Sequence, residues 1–166
     1  MPRVQRITPC LWFDSAAEEA ANFYVGTFPN SRIVHIERYG EVGTEIHGRK
    51  PGSVMTVAFE LDGQSFTALN GGPLFKFTEA VSLQVDCESQ DEVDFYWAKL
   101  TEGGDPAAQQ CGWIKDKYGL SWQIVPRVLI EMISDPDKTK SQRAFAAMME
   151  MKKIDIAALR KAFEGV

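Results

Sequence analysis

The sequence predicts an α+β fold in which a strand–helix–three-strand unit occurs twice and a helical tail follows. Three observations carry this. FDSAAEEAANFYVGTF, from Phe13, and VDCESQDEVDFYWAKL, from Val85, align without gaps at a constant offset of 72 residues, pairing Asp14 with Asp86, Phe23 with Phe95 and Tyr24 with Tyr96. Each copy follows a short apolar run of strand length and opens with a helix-start pattern. The charge balance then changes beyond Pro126: residues 127–166 hold eight basic against six acidic side chains, residues 1–126 ten against seventeen.

The elements follow in order. ITPCLWF reads as the first strand. Ser15-x-x-Glu18 predicts a helix start in which serine caps a backbone N–H and glutamate reaches back to the cap. Ala17, Ala20, Ala21, Tyr24 and Phe28 give that helix one apolar face. Arg32–Tyr39 alternates like a strand, EVGTEIHGRKPGS reads as a loop, and Val54–Leu61 and Gln64–Leu69 form a hairpin about Asp62-Gly63. The second copy begins with AVSLQV, then Ser89-x-x-Glu92 opens a helix with Val93, Tyr96, Trp97 and Leu100 inward. Three short strands are expected near Gln109–Cys111, Trp113–Lys117 and Leu120–Val125, with Gly112 and Gly119 at the turns. This predicts one domain over residues 1–126 (module one about 5–72, module two about 78–126) and a helical extension over 127–166. In the extension Asp137 and Asp155 read as helix caps, and Phe145, Met148, Met149 and then Ile156, Leu159, Phe163 as apolar stripes. Two readings of the tail stand side by side: an arm packed on its own sheet, or one that embraces a second copy through adaptable methionines.

Composition narrows the class. With 166 residues, 45% hydrophobic and 25% charged, the chain is long enough for a real core. A net charge of −5 offers no basic field for nucleic acid or an anionic membrane. No apolar run approaches the roughly 20 residues of a membrane span, and MPRVQRITP lacks a signal-peptide core. Three cysteines without a CxxC pair argue against a disulfide framework and for a cytoplasmic location.

ITPCLWFDSAAEEAANFYVGTFPNSRI, GWIKDKYGLSWQIVP and SDPDKTKSQRAFAAMMEMKKIDIAALRKAF resemble the PhnB-like branch of the vicinal oxygen chelate superfamily. That superfamily also holds glyoxalase I, the bleomycin-resistance proteins and the extradiol dioxygenases, and members of the branch often carry the name 3-demethylubiquinone-9 3-methyltransferase-like. The resemblance extends over almost the whole chain, tail included. It implies paired βαβββ modules that form an open barrel-like sheet, usually completed in a homodimer.

In metal-dependent relatives, His, Glu or Gln on the inner strand faces chelate a divalent ion. Carried over by register, those positions become Thr8 (or Pro9), Ala80, Gln123, and Ala68 or Asn70. Only Gln123 is a credible donor, so no metal and no cofactor are expected. His35 and His47 lack further donors at ligand spacing. Cys10 lacks a neighbouring base to make it a nucleophile, and no glycine-rich strand–helix turn supports an S-adenosylmethionine site. Period-two alternation instead puts Thr8, Cys10 and Trp12 on one hollow face, with Ser82 and Gln84 matching them in the second copy. Phe66, Asn70, Ser121 and Gln123 are expected to join that face, and Phe75 and Phe77 to fold over it on the loop that starts at Asn70. The expected function is metal-independent binding of a small molecule, set against two rivals: a glyoxalase- or dioxygenase-type enzyme with an atypical site, and an interaction module whose hollow is filled by its own side chains.

Overall fold

The computed structural model describes residues 5–166 and divides into two compact units that part between Lys76 and Phe77. In the first unit, β1 (Cys10–Phe13) leads into α1 (Ala17–Thr27), followed by β2 (Arg32–Arg38), the short α2 (Thr44–His47), β3 (Val54–Leu61) and β4 (Gln64–Asn70). The sheet order is β1-β4-β3-β2, with β1 parallel to β4 and the other pairs antiparallel. Helix α1 buries Ala17, Ala20, Ala21 and Tyr24. The Tyr24 ring stacks on Phe59 at 6.4 Å, and Phe59 on Phe66 at 5.5 Å, which fixes the helix against the middle of the sheet. Asp62 and Gly63 both take positive φ, the conformation a two-residue hairpin with native strand twist requires.

Two local expectations differ. Helix α1 starts at Ala17 with Ala16 as its cap residue, and no side chain of its own caps it. Asn70 at the end of β4 does so instead: its Oδ1 accepts from the Ala17 N–H at 2.8 Å. The segment read as a loop also contains α2, a single turn bounded by Gly43 and Gly48, both left-handed.

In the second unit β5 (Ser82–Cys87) is followed by α3 (Gln90–Thr101), a 3-10 turn at Pro106–Ala108, β6 (Trp113–Lys115) and β7 (Ser121–Pro126). The sheet order is β5-β7-β6, with β5 parallel to β7. Ser89 caps α3 as expected, accepting from Glu92 N–H, while Glu92 reaches back to the N–H of Glu88. Val93 and Leu100 bury the helix face. The strand expected at Gln109–Cys111 reduces to one bridge between Gln110 and Trp113. The reason is local: Cys111 and Gly112 take φ of 51° and 82°, a turn rather than extended chain. Their N–H groups donate to the carbonyls of Met151 and Lys152, so the tail takes the place of a strand partner.

Three helices complete this unit: α4 (Arg127–Ile133), α5 (Lys138–Met149) and α6 (Ile156–Glu164). Asp137 and Asp155 cap α5 and α6 as the sequence predicts, accepting from Thr139, Lys140 and Ala158 N–H groups. Leu129, Met132, Ala144, Ile154 and Leu159 form a buried cluster, with Val125 of β7 packed against it. The tail therefore packs on its own unit.

Candidate functional site

Strand register decides which side chains share a face. In the first unit Leu11 pairs with Ala68 and Phe13 with Asn70, while Cys10 pairs with Thr67 and Trp12 with Leu69. The helix-facing side is therefore Leu11, Phe13, Phe66, Ala68 and Asn70, all buried. Phe66 and Asn70, expected in the hollow, belong to this other side. Phe66 is bound by its stack on Phe59, and Asn70 by the α1 cap and by Nδ2 donating to Val54 O at 3.1 Å. Thr67 and Leu69 take their place beside Cys10 and Trp12. Thr8 is exposed and precedes β1.

Trp12 is held at both ends. Its indole N–H donates to Gly72 O at 2.9 Å, and Phe75 meets the ring edge-on at 4.9 Å. The indole also leaves no space at Gly71, where an added Cβ would sit 2.2 Å from the ring. Partial burial shifts the Cys10 thiol upward from its ordinary value, the opposite of what activates a cysteine. The Cys87 thiol is pushed up to about 12, first by burial and then by Glu92 and Asp86.

In the second unit Ser82 pairs with Ser121 and Gln84 with Gln123, placing all four on the side opposite Leu83, Val85, Trp122 and Ile124. Gln84 Nε2 donates to Gln123 Oε1 at 3.3 Å, and Gln123 Nε2 donates to Ser82 Oγ at 2.8 Å. This amide relay orients both glutamines. Beside it lies a cavity of about 410 Å³. Gln84, Gln123, Trp113 and Val125 supply the sheet side; Leu129, Ile130 and Ile133 of α4 and Met148 and Met149 of α5 supply the wall; Gln110 and Cys111 sit at the turn between them. Phe77, half-buried, lies in this unit but is not among the lining residues. The sequence places the two glutamines on a shared face but does not place the wall beside them. Its signal is present in the methionine-rich stripe of α5, which has no partner until the fold brings it over β7.

The positions implied for a divalent metal do not make a donor set. Thr8 and Ala80 are exposed and Ala68 is fully buried against the helix side, which leaves the Gln123 amide as a single donor where a chelate needs several. Among the described residues there is no group of three or more His, Cys, Asp or Glu placed to hold an ion. His35 pairs with Glu37 at 2.7 Å, and the His47 ring lies tilted against Tyr39 with centroids 4.6 Å apart. No helix among the described residues is long and apolar enough to cross a membrane.

The sequence model of the 3-demethylubiquinone-9 3-methyltransferase family matches residues 5–125. The chain belongs to this family. The PhnB protein of Bacillus cereus is 40% identical, covering 74% of this chain and 99% of that one, with a TM-score of 0.62. Protein PA1353 from Pseudomonas aeruginosa (17% identity, 74% and 98% covered, TM-score 0.56) and the fosfomycin resistance protein FosX from Mesorhizobium loti (13%, 81% and 99%, TM-score 0.52) share the fold. No curated protein matches. These likenesses put the PhnB-like chain in the vicinal oxygen chelate superfamily with its mixed α+β architecture. The family match ends at residue 125, one residue short of the end of β7, so α4, α5 and α6 lie beyond it.

Proposed function

We propose that this PhnB-like chain is a metal-independent small-molecule-binding protein whose ligand is oriented by the Gln84–Gln123 amides. The observation that carries the reading is the amide relay running along the open face of the second sheet into a cavity of about 410 Å³. That volume falls within the range of about 300–1,000 Å³ common to small-molecule sites, and apolar walls with a few fixed polar groups are the usual lining. On the first unit, Cys10, Trp12 and the Phe75 that covers it form the matching part of the reading, with Thr8 at its edge. Methyl transfer gains no support from the strand–helix turns. Asp14-Ser15-Ala16 and Glu88-Ser89 contain no glycine to let a backbone approach a nucleotide-like cofactor.

Native mass spectrometry of freshly purified protein tests this. The expected spectrum carries an organic ligand and no metal, and the ligand peak is lost in a Gln84→Ala, Gln123→Ala variant. A stoichiometric divalent ion that disappears with Gln123→Ala would overturn the reading in favour of a metal enzyme. The same spectrum reads the oligomer. A homodimer is part of the proposal, supported by the exposed apolar side chains Val42, Ile46, Leu74 and Phe75 on the first unit. The three free thiols suit a reducing, cytoplasmic setting.

A further inference from the structure

We infer that the ligand of the second-unit cavity is an uncharged, mainly apolar molecule, and that α4 and α5 are the elements that select it. This deepens the proposed function and rests on it. Every side chain lining the cavity is uncharged. An ion there would meet no opposite charge, only amides, a thiol, an indole and aliphatic groups, and would cover apolar surface without a partner for its own charge. The amides are different. Gln84 and Gln123 satisfy each other through one hydrogen bond, and each retains further donor and acceptor capacity for a carbonyl, hydroxyl or amide at the polar end of a ligand. The opposite wall is made by Leu129, Ile130 and Ile133 of α4 and by Met148 and Met149 of α5. All five lie past residue 125, outside the part of the chain that matches the family. The floor thus lies on the part of the chain that matches the family model, and the wall lies on the helices beyond it. Methionine side chains conform to irregular apolar shapes, which suits a wall that grips by contact alone.

The test uses two fluorescent probes that differ by a single charge: N-phenyl-1-naphthylamine, which is neutral, and 1-anilinonaphthalene-8-sulfonate, its anionic counterpart. The full chain is expected to bind the neutral probe saturably at one per chain and the sulfonate at least tenfold more weakly. Ile130 is 53% exposed, so Ile130→Lys puts an ammonium on the wall without opening the core. That variant is expected to weaken the neutral probe at least tenfold and to reverse the preference toward the sulfonate. Val34→Lys, on β2 of the first unit and 49% exposed, serves as the control and is expected to change neither. Near-equal affinity for the two probes would overturn the charge rule. Neutral-probe binding indifferent to Ile130→Lys would overturn the role of the helices. Loss with Ile130→Lys but none with Gln84→Ala, Gln123→Ala would uphold the wall and remove the amide floor on which the proposed function rests. Binding of neither probe would overturn both.

Discussion

Asp116 is the side chain on which the β6–β7 turn closes. It is buried, its Oδ1 accepts from the N–H groups of Tyr118 and Leu120, and its Oδ2 accepts from the Trp122 indole at 2.8 Å. Removing it leaves three donors without their acceptor, at about 1–3 kcal/mol each if none finds water. Asp116→Ala is therefore expected to lower unfolding free energy by at least about 3 kcal/mol in urea titration, and Trp122→Phe by about 1.5–3 kcal/mol. Ser121 points the other way. Its buried Oγ has no hydrogen-bond partner among the described residues, so Ser121→Ala is expected to be neutral or stabilising by up to about 1 kcal/mol in the same titration. Alternation along a strand is enough to make Gln84 and Gln123 legible as face-mates in the sequence. It cannot decide Phe66 and Asn70, because the register of β4 against β1 comes from pairing between distant segments and a one-residue slip exchanges the faces. Asn70 also resembles a binding residue for a sound reason. An amide at a strand end is polar and fixed, but here both of its ends serve the backbone of its own unit.

Helix α3 and the chain leading into α6 are held together by one short segment of side chains. Gln90 Nε2 donates to Ile154 O at 3.1 Å, its Oε1 accepts from Ile156 N–H at 2.8 Å, and Lys153 meets Asp94 at 2.6 Å. Gln90→Ala leaves two backbone groups of the tail to solvent and is expected to cost about 1–3 kcal/mol, read as a lower thermal midpoint. The Lys153 ammonium, and secondarily Gln90, hold the Asp94 carboxyl below the ordinary aspartate range. A lowered folded value means the pair stabilises while the carboxylate is ionised, above a pKa of about 4, and is lost as pH falls through the lowered value. Both partners are half-exposed, so the effect is at most about 1 kcal/mol. The stability gap between the natural chain and Lys153→Met is expected to be present at pH 7 and to close as pH falls below the ordinary aspartate range of about 4. Elements themselves are largely legible in the sequence, since caps at Ser89, Asp137 and Asp155 are chemical signals local to the chain. Ser15 is a false one. The same Ser-x-x-Glu spacing stands before α1, yet the helix takes its cap from β4, a partner 53 residues away that no local pattern reveals.

For the whole molecule, the first strand of each unit pairs in parallel with its last, β1 with β4 and β5 with β7, which requires the intervening helix to cross over. The two sequence copies anticipate a common layout; what they cannot anticipate is that the second unit replaces a strand with the tail. Cys111 and Gly112 donate to the carbonyls of Met151 and Lys152, and Gly112 O in turn accepts from Ile124. At Gly112 an added Cβ would fall 2.9 Å from Ile124 O, so Gly112→Ala is expected to loosen this junction and raise amide exchange at Cys111 and Ile124 together. A chain cut after Pro126 loses both carbonyl partners and the Leu129–Leu159 cluster, so it tests folding rather than association. During synthesis on the ribosome, the first unit has all its strands once Lys76 has emerged, whereas the second waits for Leu159, the last residue of its buried helical cluster. For the time it takes to translate the intervening residues the nascent protein is half-built, with β7 still lacking its helical cover.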